Sequence, residues 1–213
     1  PRPGLHFSVP QNWMNDPNGL IVFQDQYHLF FQYNPQDIIW GPMHWGHAVS
    51  SDLRKWEMQP IALSPDKNGM AFSGSAVYDE LNSSGLFAES GIVVLYTSTK
   101  YLEPIEGILG NKDNIQSQSL AYSENGKVWT KYTGNPVIAN PDLKDFRDPK
   151  VFKNHETGLW NLVVSAGKEV FFYESSDLLS WKYLSKFVWG NNPNPPVFEC
   201  PDLFCFEMVT SIC

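Results

Sequence analysis

Three short motifs each set an acidic residue close to a proline. They are Asn15-Asp16-Pro17, Arg147-Asp148-Pro149 and Glu199-Cys200-Pro201. If the three carboxyl groups share one pocket, burial and mutual repulsion raise the pKa of at least one of them, so that one is protonated while another is ionised. Such a set can act as a general acid together with a base or nucleophile. The motifs therefore predict acid–base chemistry, provided that the fold brings them together.

The first acid lies in the segment NWMNDPNGL, residues 12–20, whose second half has the composition of a tight turn. Asp, Pro, Asn and Gly supply the backbone angles of a reversal, whereas Trp13 is a large apolar side chain of the kind that is usually well buried. We expect residues 16–19 to form a turn that presents Asp16.

A recurring hairpin indicates which elements position the acids. SSDLRKW (50–56) returns as SSDLLSW (175–181), and a looser copy, YSENGKVW, ends at Trp129. Each copy lies between two strand-like runs, so each predicts a hairpin whose second strand opens with a Trp. We expect these Trp side chains to pack between neighbouring units.

Another pair of strands precedes each hairpin, so the repeating unit has four antiparallel strands. The predicted runs are NGLIVFQ, YHLFFQYN, HWGHAV and WEMQPIAL; then FSGSAVYD, IVVLYTST, SQSLAY and WTKYTGNPVIA; then RDPKVFKN, WNLVVSAG, EVFFYE and WKYLSKF, with HETG as a turn and FECPDLFCF opening a fourth unit. This repeat predicts an all-β protein, a β-propeller of about three blades plus the start of a fourth. A sandwich would also contain many strands, but it would not predict the recurring hairpin.

In a propeller the innermost strand of every blade lines a central channel, so equivalent residues converge on one axis. Asp16, Asp148 and Glu199 open their units in this way, although the second unit has the acid-free FSGS there. Glycoside hydrolysis needs one acid to protonate the leaving oxygen and one carboxylate to attack or to activate water. We expect Arg147 to help keep Asp148 ionised.

The composition argues against several other classes of protein. A net charge of −8 argues against binding to nucleic acid or to an anionic membrane, and no apolar run approaches the roughly 18 residues of a membrane span. His44 and His47 lack partners at metal-site spacing, so we predict neither a metal nor another cofactor.

Cysteine and processing signals are weak. Cys200, Cys205 and Cys213 match no zinc pattern and predict free thiols or at most one disulfide, with no function assigned. The N-terminal PRPGLHF has no signal-peptide h-region. Asn82-Ser83-Ser84 is a sequon for N-glycosylation at Asn82.

Seven motifs occur in a specific order: WMNDPNG, FQYNP, WGHA, FSGS, QSQSLAYS, FRDP and EC. Together they resemble glycoside hydrolase family 32, the invertases, inulinases and fructan hydrolases, over about residues 2–204. The resemblance implies a five-bladed propeller and a retaining mechanism on β-D-fructofuranosides. It also implies a small-molecule or polymeric fructoside as the binding partner, and a secreted protein.

The resemblance also implies roles for individual residues. Asp16 corresponds to the nucleophile, Glu199 to the acid/base and Asp148 to the stabiliser of the transition state. The fructose pocket falls on Asn15, Gln32, Trp40, Phe72, Ser73 and Arg147, with Trp13 as an aromatic wall. Asn15 is expected to donate hydrogen bonds to Asp16.

The match departs from the family pattern after Phe204. We interpret residues 1–213 as the N-terminal part of the catalytic propeller, without its C-terminal blades and the β-sandwich that usually follows. We expect this chain alone to be poorly active and prone to aggregate, because its blade faces and strand edges stay uncovered.

Two alternatives stay open at this stage: an inverting, arabinan-degrading propeller glycosidase, and a non-catalytic carbohydrate-binding propeller. A carboxyl separation of about 5–5.5 Å indicates retention, and one of about 6.5–9.5 Å indicates inversion.

Overall fold

A computed structural model describes residues 6–102, 113–190 and 195–204, and the regular structure of these ranges is β-strand throughout. The first sheet contains β1 (Trp13–Phe23), β2 (Gln26–Asn34), β3 (His44–Ser50) and β4 (Glu57–Leu63). The second contains β5 (Met70–Asp79), β6 (Gly91–Tyr101), β7 (Asn114–Ser123) and β8 (Thr130–Lys131). The third contains β9 (Phe146–Lys153), β10 (Trp160–Ala166), β11 (Glu169–Ser175) and β12 (Lys182–Val188).

Each sheet is antiparallel and keeps its strands in chain order. The all-β propeller of three blades is therefore confirmed, and the first strands β1, β5 and β9 lie next to one another. Within the ranges given above, no helix is long and apolar enough to cross a membrane.

The predicted turn at residues 16–19 is wrong, because β1 runs through it. The pairing of β1 with β2 is irregular at two points, after Met14 and after Asn18, and Gly19 has a left-handed φ of 51°. The turn-forming residues therefore serve β-bulges, which bend a strand and increase its twist without reversing it.

The predicted strand over residues 129–139 is also wrong, since β8 covers only Thr130–Lys131. The chain leaves the sheet and returns to β7 after a short loop. The Asn135 side chain both donates to and accepts from the backbone of Leu120, and Ile138 forms an isolated bridge with Gln118. Side-chain bonds from Asn135 thus bridge the gap in the ladder, and backbone bonds to β7 resume at Val137 and Ile138.

The recurring hairpin has one local structure. In the first copy Ser50 Oγ accepts the N–H groups of Asp52 and Leu53. Asp52 Oδ1 accepts those of the two residues that follow Leu53. Ser175 and Asp177 repeat these bonds in the third copy. The residue after the acid or amide is left-handed in all three: Leu53 (61°), Gly126 (68°) and Leu178 (64°). A repeated side-chain cap therefore explains the repeated sequence.

The apolar core lies between the blades. Side chains of β6 alternate between two clusters, one shared with the first blade and one with the third. Ile92, Val94 and Tyr96 face the first blade, whereas Val93 and Leu95 face the third. Because both faces of β6 are covered, the strand is a continuous apolar run rather than an alternating one.

The three hairpin Trp residues differ in their packing. Trp129 contacts Phe30 of the first blade edge-on, with ring centroids 5.1 Å apart. Trp181 packs against the cluster between the second and third blades. Trp56 instead lies against Phe7, near the start of the described chain.

The described part of the predicted fourth unit, residues 198–204, contains no strand. It runs beside the third blade, where the Phe198 N–H donates to the Gly167 carbonyl at 2.9 Å and Lys150 pairs with Asp202 at 3.1 Å. The remainder of the predicted run, residues 205–206, lies outside the described residues, as do Cys205 and Cys213.

Two buried histidines pair inside the first blade. His28 Nδ1 and His47 Nε2 are 3.0 Å apart, and the His47 ring stacks on Phe30. Burial, and secondarily the neighbouring His28, lowers the pKa of His47 to about 3. The folded protein therefore holds the neutral form of His47.

This pair predicts a loss of stability in acid. A histidine whose folded pKa is lowered contributes fully above its unfolded pKa, 6.5, and that contribution is lost as the pH falls from 6.5 towards 3. We expect His47→Gln to flatten the fall in melting temperature over this window, measured by thermal unfolding at several pH values. His155→Gln, in an exposed turn, is the control; equal pH dependence in both variants would contradict the prediction.

Candidate active site

Bulges at the start of the first strands position the site. In each of these strands two residues oppose a single residue of the second strand. The doubled residues are Asn15–Asp16, Phe72–Ser73 and Asp148–Pro149, opposite Gln32, Thr97 and Val164. A bulge re-aims the side chains around it, and here all three bulges lie where the blades meet.

The acids of the first and third blades are offset by one position within their bulges. Asp16 is the second doubled residue of β1, whereas Asp148 is the first doubled residue of β9. In a regular strand such an offset would turn the side chain to the opposite face. Asp148 has a left-handed φ of 65°, which accompanies the offset and lets both acids face one cavity.

One cavity of about 320 Å³ collects nine of the ten residues that the sequence analysis selected, so the convergence required of the repeat is observed. The lining consists of Asn15, Asp16, Gln32, Trp40, Phe72, Ser73, Arg147, Asp148, Glu199 and Cys200. Trp13 is the selected residue that does not line it. The roles of these residues stay predictions.

Trp13 contacts a residue of the cavity rather than the cavity itself. Its indole N–H donates to Asn15 Oδ1 at 2.8 Å, which fixes the Asn15 side chain. The hydrogen bond to the Asp16 carboxylate comes from Ser73, whose hydroxyl donates to Oδ2 at 2.9 Å. Asp16 is thus oriented by the second blade, and the expected bond from Asn15 is replaced by one from Ser73.

Contacts between the first two blades line one side of the cavity. Gln32 Nε2 donates to the Ala71 carbonyl at 3.0 Å, and Trp45 Nε1 donates to the Phe72 carbonyl at 2.8 Å. The rings of Trp40 and Phe72 meet edge to face with centroids 6.1 Å apart. These contacts give the cavity an aromatic wall, made by residues other than Trp13.

Asp148 is the buried acid of the three, with 8% of its surface exposed. Desolvation raises the pKa of its carboxyl group, and the charges of Asp16 and Glu199 add to the rise. The Cys200 N–H, 3.0 Å from Oδ2, and the Arg147 guanidinium oppose it. As expected, Arg147 favours the ionised form of Asp148, but its Nε lies 4.0 Å away and burial outweighs it, so the pKa of the carboxyl group is raised.

Replacing Asp148 is expected to stabilise the fold. Because the folded pKa exceeds the unfolded value of 3.8, the ionised side chain lowers stability as the pH rises through the folded pKa, and the loss is complete above it. Asp148→Asn keeps an oxygen for the Cys200 N–H but carries no charge. We expect its melting temperature at neutral pH to exceed that of the wild type by a few degrees, with the difference vanishing below about pH 4.

Asp145→Asn is the matched control for that measurement. Asp145 accepts a 2.5 Å bond from the half-buried Arg147, so removing its charge weakens this ion pair with the guanidinium and should lower stability. A lower melting temperature for both variants at neutral pH would contradict the assignment of an unfavourable buried charge at Asp148.

Arg147 lies between an acid of the third blade, Asp145, and Glu199 of the predicted fourth unit. It donates to Asp145 and, at 2.9 Å, to Glu199 Oε1. Burial disfavours its charge, but the bonds to Asp145 and Glu199 outweigh burial and raise its pKa. The Glu199 side chain is 65% exposed, and its bond to Arg147 fixes it at the cavity.

Cys200 is a lining residue that the sequence analysis left without a function. Its thiol lies 3.7 Å from Asp148 Oδ2, and the residue has a left-handed φ of 47°. Desolvation, followed by the charges of Asp148 and Asp16, raises the pKa of the thiol to about 12. Cys200 is a free, protonated thiol at neutral pH. The signal in the sequence was its place next to Glu199 in the EC motif.

The three carboxyl groups thus sit in different environments within one pocket: buried Asp148, half-buried Asp16 and exposed Glu199. Such differences suit distinct roles in acid–base and nucleophilic chemistry. Among the residues that the structure describes, no group of three or more His, Cys, Asp or Glu side chains could hold a metal ion.

Comparisons with known proteins agree with this architecture. The model of the glycosyl hydrolases family 32 N-terminal domain matches residues 6–210. The levanase of Bacillus subtilis is 48% identical over 206 residues, which are 95% of this chain and 29% of the levanase. The extracellular exo-inulinase inuE of Aspergillus niger is 44% identical over 225 residues, 95% of this chain and 41% of that protein.

A solved structure gives the same result in three dimensions. The β-fructofuranosidase of Schwanniomyces occidentalis, complexed with fructosyl-erythritol, superposes with a TM-score of 0.83 at 37% identity, covering 99% of this chain and 40% of that one. The chain therefore belongs to glycoside hydrolase family 32. It spans less than half the length of each of these relatives.

Proposed function

We propose that the full-length protein hydrolyses terminal β-D-fructofuranoside bonds of sucrose, inulin or levan type, with retention of configuration. The observation that carries the proposal is the meeting of Asp16, Asp148 and Glu199 in one cavity of a family 32 propeller. The levanase and exo-inulinase similarities and the fructoside bound in the related structure support a fructoside as substrate.

In the first step Asp16 attacks the anomeric carbon of fructose. An Asp16 oxygen bonds to that carbon while the glycosidic C–O bond breaks, and the Glu199 proton passes to the departing oxygen. The Ser73 hydroxyl on Oδ2 holds the attacking carboxylate in one orientation. This arrangement reduces the loss of rotational freedom at the transition state.

In the second step Glu199 removes a proton from water, and the water oxygen displaces Asp16 from the anomeric carbon. The Arg147 guanidinium keeps the Glu199 side chain at the cavity through both steps. Asp148 binds fructose hydroxyl groups as positive charge develops on the sugar ring, and Asn15 and Gln32 contribute polar contacts. The edge-to-face pair Trp40–Phe72 lies against the apolar side of the sugar.

The test is to follow sucrose and inulin hydrolysis by NMR and to observe the fructose first released. Release of β-fructofuranose supports the proposal. Release of the α-anomer from a fructoside, or a preference for arabinan, would indicate an inverting glycosidase instead. Binding of fructosides without hydrolysis would indicate a carbohydrate-binding propeller.

We also infer that the protein is secreted, as the extracellular exo-inulinase relative suggests. In the folded protein the side chains of the sequon at Asn82 are already hydrogen-bonded. Asn82 Nδ2 donates to the Phe87 carbonyl at 2.8 Å, and the sequon hydroxyl of Ser84 donates to Asp79 Oδ2 at 2.7 Å. A glycan at Asn82 therefore has to be attached before this loop folds.

A further inference from the structure

The bulge at Asp148 and Pro149 interrupts the hydrogen-bond ladder of the third blade. β9 pairs regularly with β10 on both sides of the bulge, up to Arg147 and again from Lys150 onward. Val164 alone lies opposite the two doubled residues. A bulge leaves backbone groups without partners in the neighbouring strand. Buried backbone groups need other partners, and those of the bulge lie in the interior.

The second blade supplies these partners through two hydroxyl groups. Thr97 Oγ1 accepts the Asp148 N–H at 2.9 Å. Ser75 Oγ donates to the Pro149 carbonyl at 2.8 Å and accepts the Val151 N–H at 2.9 Å. Both side chains are buried. Two side chains of one blade thus satisfy three backbone groups in the next.

The Thr97 hydroxyl is itself held in place. It donates to Gln118 Oε1 at 2.8 Å, and Gln118 Nε2 donates to the Phe146 carbonyl at 2.8 Å. The chain of bonds therefore starts and ends on β9, on either side of Arg147. Because Thr97 and Gln118 are fully buried, water cannot replace a lost member without a new cavity.

The backbone of Asp148 needs such support. A left-handed φ, here 65°, costs less for Asp than for most residues with a side chain, but extended backbone is its ordinary alternative within a strand, so the surroundings must select it. We propose that Thr97 and Ser75 are positioning residues of the active site: they hold the bulge of β9 in the conformation that aims the Asp148 carboxylate into the cavity. The catalytic part of this inference rests on the proposed fructoside hydrolysis.

The first test compares two substitutions of Thr97 in the full-length protein. Thr97→Val keeps the shape but removes the acceptor for the Asp148 N–H, whereas Thr97→Ser keeps the hydroxyl. We expect Thr97→Val to lower kcat for sucrose or inulin by about 10²-fold with a smaller change in KM, since a small displacement at a reacting site has effects of this size. Thr97→Ser should restore most of the lost kcat, and Ser75→Ala should resemble Thr97→Val.

Ser98→Ala is the matched control for a general loss of stability. Ser98 is the next residue on β6 and is also buried, but its hydroxyl bonds to Ser119 at 2.8 Å and to the Ser117 carbonyl at 3.2 Å, both on β7, and makes no bond to β9. A second control is the double variant Thr97→Val with Asp148→Asn. If Thr97 acts through Asp148, the double variant loses no more kcat than the Asp148→Asn variant alone. If the two residues act independently, the fold-losses of the two single variants multiply.

Hydrogen exchange at the Asp148 amide separates the inference from the proposed function. We expect exchange to be faster in Thr97→Val than in the wild type and in Ser98→Ala. If the wild-type protein releases no fructose, the proposed hydrolysis is refuted. Hydrogen exchange at the Asp148 amide would then still show whether the two hydroxyls hold the bulge. Unchanged exchange in Thr97→Val, a kcat equal to that of Ser98→Ala, or fully multiplicative losses with Asp148→Asn would overturn the inference.

Discussion

Asp16→Asn is expected to lower kcat/KM for sucrose or inulin by at least about 10⁴-fold, because an amide oxygen is too weak a nucleophile to form the bond to fructose. The substitution should leave the fold intact. Asn has nearly the shape of Asp, and its Oδ1 can accept the bond that the Ser73 hydroxyl now donates at 2.9 Å. Initial rates of fructose release, with melting temperatures measured alongside, check both parts.

Asp25→Asn is the control for the loss of a carboxylate as such. Asp25 lies in the exposed turn between β1 and β2 with a φ of 59°, a conformation that Asn adopts readily. It should retain the wild-type rate. A loss of less than about tenfold in Asp16→Asn would remove Asp16 from the role of nucleophile, and an equal loss in Asp25→Asn would show that the assay reports general damage.

The fold was predictable where the determining interactions are local. The strand-like apolar runs, and the acid or amide that caps the same turn in three places, are visible in the sequence because each needs only a few neighbouring residues. Once the repeat was recognised, the convergence of three distant acids followed from the symmetry of a propeller. The EC motif placed Glu199 at the cavity in the same way.

The bulges were not predictable from the same reasoning, because a bulge depends on the register between two strands. Asp16-Pro17-Asn18-Gly19 has the composition of a turn, and only its pairing with β2 shows that it is a bent strand. The hydroxyls of Thr97 and Ser75 reach the bulge of β9 from 51 and 74 residues away in sequence. No local pattern marks either residue as part of the site.

The charge state of Asp148 also depended on three-dimensional packing. In the sequence its conspicuous neighbour is Arg147, which favours the ionised carboxylate. In the structure burial is the larger effect and raises the pKa of the carboxyl group, while the guanidinium turns its hydrogen bonds to Asp145 and Glu199. Adjacency in sequence thus indicated the right pair and the direction in which Arg147 acts, but not the larger effect of burial.

Glu199→Gln is expected to affect the two steps of hydrolysis differently. With sucrose, whose leaving group needs a proton, we expect kcat to fall by about 10²–10⁴-fold. With an aryl fructoside whose leaving group departs without a proton, the first step should stay fast and the fructosyl-enzyme should accumulate on Asp16, where peptide mass spectrometry can detect it. Gln keeps an oxygen for the Arg147 N–H, so the side chain stays at the cavity. Glu156→Gln, in an exposed turn of the third blade, is the matched control.

Azide then tests whether the reaction passes through two displacements. An anion that needs no general base can replace water in the second step, so azide should accelerate turnover of the aryl fructoside by Glu199→Gln and leave the wild type unaffected. The product should be a β-fructofuranosyl azide, because attack on the Asp16 adduct inverts the configuration a second time. An α-azide, or equal losses of rate on sucrose and on the aryl fructoside, would show that Glu199 is not the acid/base of a retaining reaction. The Asp16 and Glu199 variants together would then favour the inverting alternative, in which a carboxylate activates water and no adduct forms.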